Sequence, residues 1–270
     1  MSETDISCFH TSCALSYLQF LKIENHIRYT AKKKQRGIKA MRRLILSGTM
    51  NTRDLGGHPI ISGGFTRYNR FFRSDLPTML SDEESLLLYN QGITTVIDLR
   101  SIREAESQFS FFKNRSGFDY WHCPLNGDGE MPAKEENISA SYLNMLGDSS
   151  SILKIMKVFA DAGSGCLFHC NAGKDRTGVI SALLLSLANV PLPDILTDYQ
   201  VSYTYIRPMV DQLRLANLVL PAWVGQSKPE YLSGFLSDFH QKFHSVDDYL
   251  LHIGLSALDI SNIKIKLFST

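Results

Sequence analysis

Long apolar runs are missing from this 270-residue sequence. The longest near its start, Cys13 to Leu21, is broken by Ser16 and Gln19 and falls short of the roughly 20 residues a membrane helix needs. It has no basic stretch ahead of it and no small-residue cleavage site behind it, so neither a membrane span nor a secretory leader is expected. A disulfide framework is missing as well. Cys8, Cys13, Cys123, Cys166 and Cys170 are odd in number and irregularly spaced, which suits a reducing cytoplasm. Charge of one sign is scarce overall: the formal net charge is +1, which argues against a chain that coats nucleic acid. Internal repeats and low-complexity tracts are absent too.

What charge there is lies unevenly. Residues 1–43 carry nine Lys/Arg against Glu3, Asp5 and Glu24, which leaves about −5 on the rest. This stretch reads as a basic extension, either poorly ordered or touching an anionic membrane surface through residues 28–43. Met41 is an alternative start. Residues 44–270, in a chain that is 44% hydrophobic, are expected to form one catalytic domain.

Within that domain strand and helix signals alternate, which predicts an α/β fold with a mainly parallel sheet. Ser81 with Glu84 three residues on is a capping box opening a helix through Tyr89. Ile93 to Leu99 is β-branched and apolar, as a buried strand should be. Phe118 to Leu125 is a second strand candidate, and the loop after it runs to about Asn137. Residues 152–162 have helical spacing, Cys166-Leu167-Phe168 is a short strand, and Thr177 to Ala188 is apolar on all sides like a buried helix.

Between that last strand and helix lies His169-Cys170-Asn171-Ala172-Gly173-Lys174-Asp175-Arg176-Thr177-Gly178. A strand, a glycine-bearing loop and a helix amino end place several N–H groups around one point, a cradle for a dianion. Asn171, Ala172, Gly173, Lys174 and Thr177 are its candidate binding residues. Cys170 opens the loop and Arg176 closes it, so the chain curls to set a two-pronged guanidinium opposite the thiol. The same field favours the thiolate form of Cys170. That combination points to nucleophilic attack on a phosphate monoester with no metal or other cofactor. Thr177 is placed to donate its hydroxyl to the thiolate. His169 reads as a loop brace rather than a base, and Asp98, at the end of its strand, as another support. A nucleotide-binding loop is excluded, because its first glycine would fall at Phe168 and its Ser/Thr at Asp175. Zinc is disfavoured because the neighbours in His122-Cys123 and in His169-Cys170 point to opposite faces of a strand.

These ten residues resemble the signature of the cysteine-dependent tyrosine phosphatases, in the branch with Ala-Gly-Lys-Asp-Arg-Thr-Gly. Asn51-Thr52-Arg53-Asp54-Leu55-Gly56-Gly57, Phe72-Arg73-Ser74-Asp75, and Ile97-Asp98-Leu99-Arg100 with Glu104 are similar to further motifs of that branch. So are Asp247-Asp248-Tyr249-Leu250 and Gly254-Leu255-Ser256 near the end. The resemblance covers about residues 48 to 268. It implies the cysteine-phosphatase fold, a four- or five-stranded sheet with helices on both faces. It also implies protein tyrosine phosphatase activity through a phosphocysteine. Dual-specificity or phosphoinositide phosphatase activity is the alternative, since Lys174 adds a second cation, and a phosphate-binding pseudoenzyme stands further off. For the general acid the resemblance implies Asp175. Asp128, in the loop after Leu125, is the topological counterpart of the mobile-loop acid of familiar relatives, whose usual place about thirty residues before the cysteine falls near Ser139.

Overall fold

A computed structural model describes residues 42–125, 132–216 and 220–268. Asp128 and residues 28–41 of the basic stretch lie outside them. Among the described residues one five-stranded sheet runs through the fold, in the order β1-β2-β5-β3-β4. The strands are β1 Arg53–Asp54, β2 Phe71–Ser74, β3 Ile93–Asp98, β4 Asp119–His122 and β5 Gly165–His169. Only β1 is antiparallel to its neighbour; β2, β5, β3 and β4 run parallel. Central β5 is buried at every position, as a strand covered on both faces should be.

Its side chains alternate between two cores. Cys166 and Phe168 face the larger cluster, and Leu167 faces the smaller one with Phe72, Val96 and Leu88. Leu88 comes from α1, Asp82–Asn90, whose Ser81–Glu84 capping box is formed as the sequence predicts. The larger face is covered by α4, Ser149–Asp161, by the all-round buried α5, Arg176–Leu187, and by the carboxyl-terminal helices. Those are α6 Leu192–Leu215, α7 Pro229–Phe243, α8 Val246–His252 and α9 Ala257–Leu267. Two further short helices, α2 Ile102–Ser107 and α3 Ile138–Met145, lie in sequence on either side of β4.

The strand expected over Phe118 to Leu125 is shorter, ending at His122. Pro124 has no N–H to extend the ladder. The chain still follows β3, because Cys123 N and Leu125 N donate to Asp98 O and Leu99 O at 2.9 and 3.1 Å. Arg42 and Arg43, counted with the basic stretch by charge, are built into the body. Arg42 reaches Asp198 at 3.1 Å, and the Arg43 guanidinium lies 3.9 Å from the Tyr205 ring centroid. No helix among the described residues is long and apolar enough to cross a membrane.

Candidate active site

All four parallel strands end on one side, and there β5 delivers the signature loop. His169 O accepts from Leu99 N at 2.8 Å, which ties the loop's start to β3. Cys170 follows, 3% exposed, and α5 begins six residues later. The loop's carbonyls are turned outward. Asn171 O accepts from Leu76 N at 2.9 Å, Ala172 O and Gly173 O from Asn51 Nδ2 at 2.9 and 3.0 Å, and Gly173 O also from Arg73 Nη2 at 2.8 Å. With these oxygens engaged by the scaffold, the opposite edge of each peptide unit turns its N–H inward. That is the arrangement an anion cradle requires.

Gly173 makes the turn, with φ +64°, and a Cβ there would sit 2.5 Å from Asp75 N and the Ser74 carbonyl. Both conditions exclude any other residue. Gly173→Ala is therefore expected to displace the loop and lower kcat/KM by about 10²-fold or more, the scale of an ångström-level misplacement. Gly163→Ala, where a Cβ meets nothing within 4 Å, is expected to leave kinetics unchanged. Steady-state kinetics of the two variants check this; equal behaviour would contradict it.

The scaffold donors are themselves anchored. Asp75 accepts from Met50 N and Asn51 N at 2.8 and 2.9 Å and so aims Asn51. Asp198 of α6 gathers Arg53 at 2.9 Å, Arg73 at 2.6 Å and Arg42 at 3.1 Å, with His58 3.9 Å away. Burial alone would raise its pKa, but the Arg53 and Arg73 guanidiniums hold it far below the carboxylate range.

Arg176 opens α5, close enough to Cys170 for the two charges to interact. Its Nη1 and Nη2 grip Glu104 Oε2 and Oε1 at 2.5 and 2.8 Å. Glu104 is fixed by a capping box, accepting from Ser101 N at 2.8 Å. Burial disfavours the Arg176 charge, but Glu104 and Cys170 beside it outweigh that and hold its pKa above the ordinary value. Two of its five N–H bonds go to Glu104, which leaves the Nε–Nη2 edge of the guanidinium as a two-pronged donor for phosphate oxygens.

The sequence matches the tyrosine phosphatase family over residues 44–269. The chain belongs to the tyrosine phosphatase family. The tyrosine-protein phosphatase of Nostoc commune is 29% identical over 70% of this chain and 70% of its own. The triple specificity protein phosphatase PtpB of Mycobacterium tuberculosis is 23% identical over 81% of this chain and 96% of its own. Among solved structures, P. aeruginosa TpbA is 20% identical, with a TM-score of 0.32 over 54% of this chain and 85% of that one.

The other predicted residues of this tyrosine phosphatase fall as follows. His169 is fully buried with Nδ1 3.2 Å from Cys170 O, and burial lowers its pKa despite nearby Asp98, which suits a brace. Asp98 accepts from Arg100 Nε, Arg100 Nη2 and Tyr120 OH at 3.0, 2.6 and 2.7 Å. Burial opposes its charge, yet His169 and Arg100 bring its pKa down to about 2. These bonds tie the end of β3 to Arg100 and to Tyr120 of β4. Thr177 is buried, but its hydroxyl makes no hydrogen bond to Cys170 or to any other described residue. The Asn171 amide donates to Glu104.

Lys174 Nζ is held by Asp175 Oδ1 at 2.7 Å rather than standing free over the loop. Asp175 occupies the N-cap of α5 but makes no capping bond, and its side chain is 39% exposed. Burial would raise its pKa; Lys174, Tyr142 and Arg176 together keep it lowered. Cys166, four residues before Cys170, is buried in the core, and desolvation pushes its thiol up to about 12.

Glu104, Asp198 and Tyr142 are among the site residues to which the sequence assigns no role. Glu104 was legible, because Ser101-Ile102-Arg103-Glu104 is a capping-box pattern as clear as Ser81–Glu84. Asp198 and Tyr142 reach the site from distant helices and leave no local signal.

Proposed function

We propose that this chain hydrolyses phosphotyrosine in proteins, with Cys170 as nucleophile, Arg176 as phosphate clamp and Asp175 as general acid. The observation that carries the reading is a Glu104-anchored Arg176 whose charge feels Cys170, at the end of a loop whose Asn171, Ala172 and Gly173 carbonyls are held by the scaffold. In the first step the Cys170 thiolate forms a bond to phosphorus as the bond to the tyrosine oxygen breaks. That oxygen takes its proton from Asp175. Loop N–H groups and Arg176 hold the equatorial oxygens through the charge shift. Water then attacks the phosphocysteine, gives its proton to Asp175, and the thiolate leaves with its electron pair.

In the free enzyme Asp175 is ionised, since its cationic neighbours outweigh burial. A bound phosphate dianion opposes that field and draws a proton onto it from solvent. Asp175→Asn is thus expected to slow an aryl phosphate with a poor leaving group by about 10²-fold or more, and one with a good leaving group far less. An equal loss on both substrates would remove Asp175 from the role and leave it to Asp128.

A wider substrate range is the second reading, favoured by the buried ammonium of Lys174 beside the clamp and by the similarity to a triple specificity phosphatase of Mycobacterium tuberculosis. Phosphotyrosine peptides and phosphoinositides, compared under identical conditions, decide between them. Higher kcat/KM on the peptide is expected, and the reverse order would make lipid the substrate. Residues 44–270 form the catalytic domain on this reading. A reducing cytoplasm suits a mechanism that needs a free thiolate.

A further inference from the structure

Asp175 has a second set of partners besides the cations. Tyr142, on α3 and 33 residues away in sequence, donates its hydroxyl to Asp175 Oδ1. Tyr199, on α6, lies 2.6 Å from the Tyr142 oxygen. The direction of this chain is fixed by chemistry. An ionised carboxylate only accepts, so Tyr142 spends its one proton on Asp175, and Tyr199 must then donate to Tyr142. Both phenols are buried and cross edge-to-face with centroids 6.2 Å apart. Tyr199 packs where α5 carries Gly178, at which a Cβ would come within 3.1 Å of the Tyr199 ring. Tyr142 is further packed edge-to-face against Phe235 of α7.

Both donors to Asp175, Tyr142 and Lys174, land on the same oxygen, Oδ1. Among the described residues nothing donates to Oδ2. A carboxylic acid protonates on the oxygen that is not already receiving donors.

We propose that Tyr142 is a positioning residue for proton transfer: by holding Oδ1, with Tyr199 fixing its direction, it leaves Oδ2 as the oxygen that carries and delivers the proton. This rests on Asp175 being the acid. In the step concerned, the Oδ2–H bond breaks as an O–H bond forms on the leaving oxygen and the P–O bond opens. Asp175 is left as the carboxylate that Tyr142 already satisfies.

The groups that set the charge of Asp175 come from four helices and the loop. Lys174 and Arg176 favour its ionised form, as does the Tyr142 hydroxyl; Tyr199 and Tyr231 are neutral phenols. Removing the Tyr142 donor makes Asp175 hold its proton more tightly, so its loss in the enzyme–substrate complex occurs at higher pH.

The test is the kcat–pH profile of Tyr142→Phe on two aryl phosphates, beside Asp175→Asn. Phenylalanine keeps the ring contacts with Tyr199 and Phe235 and deletes only the hydroxyl. On the acid side, where Asp175 is protonated in both enzymes, kcat should fall about tenfold for the poor leaving group and less than about twofold for the good one. The basic limb should move to higher pH. In an Asp175→Ala background the same substitution should change nothing further. An equal loss on both substrates with an unmoved limb, while Asp175→Asn keeps its selective loss, overturns the positioning role and leaves the acid in place. If Asp175→Asn is itself unselective, the acid assignment falls and this proposal with it. Tyr199→Phe is the second variant should Tyr142→Phe not fold. It should move the limb the same way by a smaller amount, and an unmoved limb there counts against the proposal.

Discussion

Cys170→Ser is expected to abolish turnover of an aryl phosphate, by on the order of 10⁴- to 10⁶-fold, while inorganic phosphate still binds. The two halves of that expectation come from different atoms. Binding is supplied by the loop, whose carbonyls remain tied to Asn51, Arg73 and Leu76, and by Arg176 on its Glu104 anchor. None of these depends on the sulfur. Bond formation to phosphorus does, because a serine hydroxyl is a far weaker acid than a thiol and stays protonated, and no described histidine is placed to deprotonate it. His169 turns its Nδ1 toward the Cys170 carbonyl, not the side chain. Serine is slightly smaller than cysteine, so the 3%-exposed position accommodates it without strain. Phosphate affinity measured by calorimetry beside steady-state turnover checks both halves. Near-normal turnover would remove Cys170 from the role of nucleophile.

Arg176→Lys is expected to lower kcat/KM by roughly 10²- to 10⁴-fold although the charge is kept. The guanidinium does two jobs at once. One edge is bound to both oxygens of Glu104, which fixes the plane of the guanidinium and with it the direction of its Nε–Nη2 edge. An ammonium in its place is a point charge that Glu104 attracts equally well. It would sit against Glu104 or against the phosphate, and in neither position span two equatorial oxygens. Glu104→Gln, which keeps the shape and removes the charge, should give a smaller loss of the same kind. Kinetics of Arg176→Lys equal to the parent would show that geometry at this position does not matter.

The strand–loop–helix that carries the signature was legible because its determinants are local. Cys166 to Phe168 is a short apolar run inside what proves to be the strand Gly165–His169, Gly173 makes the turn, and α5 is apolar on every side. The motifs that resemble the family were legible as patterns, but their purpose was not. Asn51, Arg73 and Asp75 belong to motifs a hundred residues from the loop, and only the fold reveals that they share the task of turning its carbonyls outward. Asp98, read from the sequence as a support, accepts from Arg100 and Tyr120, two partners no local pattern announces. Lys174 shows where sequence reasoning stops. A lysine beside the clamp suggests a free cation, whereas its neighbour in the chain, Asp175, takes the ammonium. Tyr142 and Tyr199 carry no sequence signal, since a hydroxyl at the end of an apolar ring looks like any other core aromatic until its partner is placed.

The central claim is that phosphate passes through the sulfur of Cys170. Rapid denaturation of the wild-type enzyme during turnover of an aryl phosphate, followed by peptide mass spectrometry, tests it most directly. The account predicts phosphate on Cys170, in greater amount in Asp175→Asn if hydrolysis of the intermediate is slowed by loss of that carboxylate. Phosphate on another residue, or turnover at full rate with Cys170 unmodified at every time sampled, would contradict it.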